Sequence, residues 1–247
     1  MISRVAVIGG GLMGSGIAQV SAVAKHSVTL YDVSQAALDK GLAAITSSLA
    51  RTAKKKHPED KSAQSALVES TLSRIQTSTD LASSVGSADL VVEAIVENLE
   101  VKHKLFQEVD AHAPKNAILA SNTSSLQISA IAAPLMSTRG ARFVGLHFFN
   151  PVPQMKLVEV IRMAETDESV LESVVAYSKG LGKVPVMCKD RPGFIVNRLL
   201  VPYMMEAIRL VERGDATKED VDIAMKLGAG YPMGPFELLD VSISTLF

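Results

Sequence analysis

The chain has 247 residues, enough to bury one large core or two modest ones, and its formal net charge is −1. That balance offers no electrostatic footprint for nucleic acid or a membrane surface. Cys188 is the single cysteine, which excludes an intrachain disulfide and fits a reducing compartment, and no apolar run approaches the ~18 residues of a bilayer span.

Arg4 to Ile8 reads as a short buried strand that runs into Gly9-Gly10-Gly11-Leu12-Met13-Gly14. Gly9, Gly11 and Gly14 fit the G-x-G-x-x-G spacing. The first permits a tight turn, the second lets backbone approach a pyrophosphate, and the third lets the next helix pack on the strand. That helix, from about Gly16 to Ala24, points its free N–H groups and positive dipole end at the phosphates. Ser27 to Tyr31 is the next strand and ends at Asp32, where an acid accepts hydrogen bonds from the adenosine ribose and repels a 2′-phosphate. Val33, Ser34 and Gln35 offer no cation for that phosphate, so the expected cofactor is NAD rather than NADP. A glycine-rich structural turn is the plain alternative. Strand, glycines, helix, strand and acid in that order favour the dinucleotide.

A helix is expected from about residue 34 to 56, turned by His57-Pro58, with a second from about 61 to 73. Lys54-Lys55-Lys56 on the first reads most simply as a solvated face. Residues 88–96 form a buried strand, and 101–113 a helix with Leu105, Phe106 and Val109 on one stripe. Residues 117–120 form a strand ending in Ser121-Asn122-Thr123-Ser124-Ser125, whose hydroxyls suit the capping of a helix start. Ligands in open α/β sheets bind beyond the carboxyl ends of the strands. Asp32, Glu97 and Ser124 lie at or just past such ends, as does His147 if its strand is parallel to the others.

Residues 143–149 (Phe-Val-Gly-Leu-His-Phe-Phe) read as an apolar strand, broken by Asn150, Pro151 and Pro153, and 156–161 (Lys-Leu-Val-Glu-Val-Ile) as a second. Paired as a hairpin about residue 153, they set His147 opposite Glu159. Directly opposed residues have Cβ atoms only ~5 Å apart, within hydrogen-bonding reach for imidazole and carboxylate. Such a carboxylate orients the ring and stabilises its cationic form, which makes a general base. A core histidine beside an ordinary strand glutamate is the alternative.

Near Asp190-Arg191-Pro192-Gly193 the pattern turns helical. Phe194 to Glu212 reads as one helix kinked at Pro202 and ended by Gly214. Thr217-x-x-Asp220 opens another that Gly228 stops, and Gly234-Pro235 starts a last one. The apolar stripe of these helices exceeds what three helices bury, so part of it is expected to face a second subunit. The expected architecture is therefore α/β. A Rossmann-type, doubly wound, mostly parallel sheet spans 1–189 with a helical insertion at about 34–73, and a small all-helical domain spans 190–247.

Five segments together resemble the L-3-hydroxyacyl-CoA dehydrogenases of fatty-acid β-oxidation over residues 1 to about 240. They are Ile-Gly-Gly-Gly-Leu-Met-Gly-Ser-Gly-Ile-Ala-Gln, Ala-Ser-Asn-Thr-Ser-Ser-Leu-Gln-Ile, Gly-Leu-His-Phe-Phe-Asn-Pro-Val-Pro, Pro-Gly-Phe-Ile-Val-Asn-Arg and Gly-Tyr-Pro-Met-Gly-Pro-Phe-Glu-Leu-Leu-Asp. The resemblance implies NAD as cofactor, an acyl-CoA as substrate, His147 as catalytic base and Glu159 as its partner. It implies that Ser124 and Asn197 hydrogen-bond the 3-oxygen or thioester region. Glu97, Lys102, Ser124 and Asn150 would line the nicotinamide side, Asp32 the adenosine ribose, and Gly9, Gly11, Leu12, Met13 and Gly14 the pyrophosphate. Ser48 and Lys55 match coenzyme A contacts. It also implies a homodimer, and the mitochondrial matrix of the animal members. The first strand begins at the initiator methionine, with no presequence visible, which keeps the cytoplasm open. After Asp240 the sequence departs from the family's Tyr-Val-Gly-Leu-Asp stretch and further helices, so it reads as a shortened member. That leaves a second reading, a catalytically impaired or non-enzymatic NAD-binding relative. Hydroxyacid dehydrogenases of the hydroxyisobutyrate type rely on a lysine, where this chain sets a histidine–glutamate pair.

Overall fold

Strand β1 (Arg4–Ile8) leads into helix α1 (Leu12–Val23) and strand β2 (Ser27–Tyr31) in a computed structural model that describes residues 2–244, with side chains through Asp240. Helices α2 (Gln35–Lys56) and α3 (Lys61–Leu72) follow, then β3 (Ile75–Ser78), α4 (Leu81–Val85), β4 (Leu90–Glu93), α5 (Leu99–His112) and β5 (Ile118–Ser121). After α6 (Ile128–Ala132) and α7 (Met136–Arg139) come β6 (Phe143–Phe148), β7 (Leu157–Arg162), α8 (Glu168–Gly180) and β8 (Val184–Lys189). Helices α9 (Val196–Glu212), α10 (Lys218–Gly228) and α11 (Pro235–Ser244) complete the chain. Two compact units result, 1–194 and 195–247.

The first unit is built on one sheet of eight strands in the order β3-β2-β1-β4-β5-β6-β7-β8. Every pairing is parallel except β6 with β7. Side chains alternate between the two faces of a strand, and the core divides accordingly. Val5, Val7, Leu90, Val92, Val144, Leu146 and Phe148 pack on one face against Ile17, Leu38, Ile45, Leu49 and Val170 of α1, α2 and α8. Ala6, Ile8, Val91, Leu119, Phe143 and Ile161 pack on the other against Val85, Phe106, Val109 and Ile131 of α4, α5 and α6. Both faces are covered, which is why the inner strands read as continuous apolar runs. Arg139, 1 % exposed, braces the second face by donating to Asp110 (2.5 Å) and to the carbonyls of Ala113, Pro114 and Lys115, which follow α5. The guanidinium thereby ties down the turn that follows α5.

Three expectations are corrected. The hydroxyl-rich run 121–125 does not cap a helix. Helix α6 starts at Ile128, and Asp190 satisfies its first donors by accepting from the N–H groups of Ile128 (2.8 Å) and Ser129 (2.9 Å). Thr123 and Ser125 are instead drawn to Glu97. Phe194 stands outside the long helix: Gly193 and Phe194 both hold left-handed backbone (φ 78° and 48°), which turns the chain before α9 begins at Val196. Two strands, β3 and β8, form in addition to those expected.

In the second unit α9 runs unbroken through Pro202 to Glu212. Gly214, at φ 75°, reverses the chain beyond it, and the Thr217 hydroxyl accepts from Asp220 N–H to open α10.

Candidate active site

The glycine turn closes β1 onto α1 so tightly that a side chain is excluded at two of its positions. Gly9 has φ +113° and a Cβ there would meet the Ala94 carbonyl oxygen at 2.5 Å, while a Cβ on Gly14 would fall on the Gly9 carbonyl. Gly11 differs, because among the described residues nothing beyond its chain neighbours lies within 4 Å of the place its Cβ would take. That open face, with α1 starting at Leu12 and no side-chain cap bond at its N-terminus, leaves N–H donors of the kind a diphosphate would need. Leu12 is exposed and Met13 half-buried on the same turn. Asp32 follows β2. Its carboxylate accepts from Gly10 N–H (2.7 Å) and Ser34 N–H (2.9 Å), so the acid is pinned against the turn with lone pairs left for a diol.

Strands β6 and β7 pair antiparallel with His147 opposite Glu159, as the mirror argument expects. Nδ1 of His147 lies 2.8 Å from Glu159 Oε2, and Nε2 lies 3.1 Å from Ser124 Oγ. An ionised carboxylate only accepts, so the ring proton belongs on Nδ1. Nε2 is then the free base, and it accepts the Ser124 hydroxyl hydrogen. Glu159 is fully buried and His147 is 4 % exposed. Phe149 and Phe194 flank the imidazole at 4.4 and 5.7 Å between ring centroids, which keeps water from the pair. Because β6 is parallel to β5, His147 and Ser124 share the carboxyl edge of the sheet with the glycine turn.

A second polar network fills the space between them. Lys102, 1 % exposed in the first turn of α5, lies 2.5 Å from Glu93 and 3.3 Å from Glu97. Glu93 ends β4 fully buried, and it also accepts from Ser121 Oγ (2.6 Å) and Ile95 N–H (2.8 Å). Burial pushes the Glu97 carboxyl up, but the Thr123 hydroxyl, the Lys102 ammonium and the Ser125 hydroxyl outweigh it and hold the group below the ordinary carboxylate range. Glu97 thereby grips the residues on both sides of Ser124. Asn150, exposed, opens the turn after β6, and Lys183 braces that turn by donating to the carbonyls of Val152 and Met155 (2.5 and 2.7 Å).

The structure thus joins His147, Glu159 and Ser124 in one hydrogen-bonded chain, and Glu97 with Lys102 in another. Ser48 and Lys55 sit on α2, seven residues or two turns apart, half-buried and exposed respectively. They enter neither network. Asn197 stands in the first turn of α9, in the second unit. Sequence reasoning missed Glu93 and Asp190. The available signal for Glu93 was an acid closing the buried run Leu-Val-Val-Glu, a position where a lone carboxylate requires a partner.

The family described as 3-hydroxyacyl-CoA dehydrogenase, NAD binding domain, matches residues 4–191, and its C-terminal domain matches 193–245. The mitochondrial hydroxyacyl-coenzyme A dehydrogenase of Homo sapiens is 63 % identical over 240 residues, covering 97 % of this chain and 76 % of the relative. A probable 3-hydroxybutyryl-CoA dehydrogenase of Bacillus subtilis is 45 % identical over 97 % of this chain and 80 % of its own length. The crystal structure of (S)-3-hydroxybutyryl-CoA dehydrogenase from Ralstonia eutropha superposes with a TM-score of 0.88 at 43 % identity, covering 95 % of this chain and 80 % of that one.

Proposed function

Since this chain belongs to the 3-hydroxyacyl-CoA dehydrogenase family, we propose that it oxidises (S)-3-hydroxyacyl-CoA to 3-ketoacyl-CoA with NAD, using His147 as the general base. The observation that carries the reading is the buried Ser124–His147–Glu159 chain on the strand edge that also bears the glycine turn. The Ser124 hydroxyl orients the substrate's 3-hydroxyl toward Nε2 of His147. Nε2 takes its proton as C3 is oxidised, and the Glu159 carboxylate stabilises the imidazolium that forms. NAD, when bound, supplies the acceptor for the hydrogen and electron pair leaving C3. Gly9, Gly11 and Gly14 with the α1 N-terminus fit its diphosphate, Leu12 and Met13 line that turn, and Asp32 fits the adenosine ribose. Glu97, Lys102 and Asn150 would border the nicotinamide side, Asn197 the thioester region, and Ser48 and Lys55 the coenzyme A moiety.

The deciding experiment is His147→Gln. The variant is expected to lose turnover with acetoacetyl-CoA and NADH while binding NADH like the parent, and parental turnover would overturn the assignment. Exposed Leu199, Val201 and Met205 on α9 support a homodimer, which sedimentation of the purified chain tests. The mitochondrial names of the mammalian relatives support the same compartment for this chain, testable by fractionation.

A further inference from the structure

Three ionisable groups stand together at the carboxyl edge of β4, and two of them are almost completely withdrawn from water: Glu93, fully buried, and Lys102, 1 % exposed. The third, Glu97, has a side chain 38 % exposed. Their contacts are complete for a fully ionised cluster. Glu93 accepts from the Lys102 ammonium, the Ser121 hydroxyl and the Ile95 N–H, and Glu97 accepts from Thr123, Ser125 and Lys102. Counted as two carboxylates and one ammonium, the cluster has a single negative charge in excess. A lone ammonium–carboxylate pair would have been neutral. The second acid makes the difference.

The position of that charge follows from the backbone. Ala94, next after Glu93, lies against Gly9 of the glycine turn, and Thr123, bonded to Glu97, is next to Ser124 on His147. The cluster therefore lies between the glycine turn and the base. On the functional reading above, on which this inference rests, a dinucleotide lying on the turn extends past this point to bring its reactive ring to the base. The oxidised nicotinamide is cationic and the reduced ring is neutral, while the rest of the cofactor is the same. We propose that Glu93 is a selectivity residue that tells the two redox forms apart: by holding Lys102 while adding its own charge, it keeps the cluster at −1 and favours the oxidised cofactor. Charges in a partly dry site act over several ångströms with little screening, so a buried residue that touches no cofactor atom suffices.

The test compares affinities rather than rates. Dissociation constants for NADH, from its fluorescence, and for NAD, by competition, are measured for the parent, Glu93→Gln and Glu93→Asp. Glu93→Gln keeps the shape and removes the charge, and it should raise the NAD-to-NADH ratio of dissociation constants about tenfold. Glu93→Asp, which keeps the charge, should leave the ratio within about twofold of the parent. A structural role alone would weaken both forms equally. Equal weakening, or an unchanged ratio in Glu93→Gln, overturns the proposal. If Glu93→Gln does not fold, Glu97→Gln removes the same unit charge from a half-exposed position and must shift the ratio in the same direction; no shift there overturns it. Failure of the parent to bind either form would defeat the functional reading itself, a result distinct from equal weakening.

Discussion

Replacing Glu159 by glutamine isolates the work done by its charge. Glutamine is nearly isosteric, and its amide oxygen accepts from Nδ1 of His147 across the same 2.8 Å, so the tautomer and ring orientation survive. What disappears is the attraction between a carboxylate and the imidazolium formed during turnover. At about 4–5 Å between charge centres and an effective dielectric near 20, that attraction is about 3–4 kcal/mol. The amide dipole retains part of it, which leaves a loss of about 2–3 kcal/mol in the transition state and a kcat lower by about 30- to 150-fold. The assay is NADH formation from (S)-3-hydroxybutyryl-CoA and NAD. KM for both substrates and the NADH dissociation constant should stay within about twofold, because no binding group has changed. A kcat within threefold of the parent, in a variant with an unchanged melting temperature, would refute the argument that Glu159 acts through its charge.

Arg139→Met removes five donors from a buried site and leaves Asp110 and the carbonyls of Ala113, Pro114 and Lys115 without them, so a loss of about 3–5 kcal/mol is expected in denaturant titration. Burial pushes the Asp89 carboxyl up, but the Arg4 guanidinium and the N–H groups of Arg4 and Ser3 hold it well below the ordinary range. A depressed folded-state value stabilises the native chain above the unfolded carboxylate's pKa and is lost as pH falls toward the folded one. Asp89→Asn should therefore melt lower than the parent at neutral pH, with the gap closing below about pH 4. Burial, with Glu159 and Asp190 adding to it, pushes the Cys188 thiol up to about 11. Alkylation by iodoacetamide at pH 8 should run about a hundredfold slower than for an unhindered cysteine.

What the sequence made legible was whatever repeats a strong local rule. Buried parallel strands are apolar runs, so β1 and β4 stand out, β2 shows by its β-branched and aromatic residues, and the opposed hydrophobic strands about Pro153 predicted the His147–Glu159 register. Strand β3 (Ile-Gln-Thr-Ser) has only one apolar residue, because it lies at the edge of the sheet. Strand β8 is the other edge and is mostly exposed; its apolar run lacks alternation and contains Pro185, tolerated only at an edge, which reads against a strand. Within the site, Glu93 and Asp190 act through partners distant in sequence. Asp190 reaches Ser129, 61 residues away, and no spacing rule links them. Ser124 was found at its strand end, but its grip by Glu97 through Thr123 and Ser125 depends on a loop that no periodicity describes.

Strand β7 is laddered on both flanks, antiparallel to β6 and parallel to β8. Glu159 thus belongs to an interior rung whose backbone cannot slide without tearing two rows of amide bonds at once. A one-residue slip would also send Val158 and Val160 to the opposite face. The acid is consequently aimed when the protein folds, and substrate arrival has no ordering to do at this point. The imidazole and its acid are thus held by the sheet itself rather than by any loop at its edge.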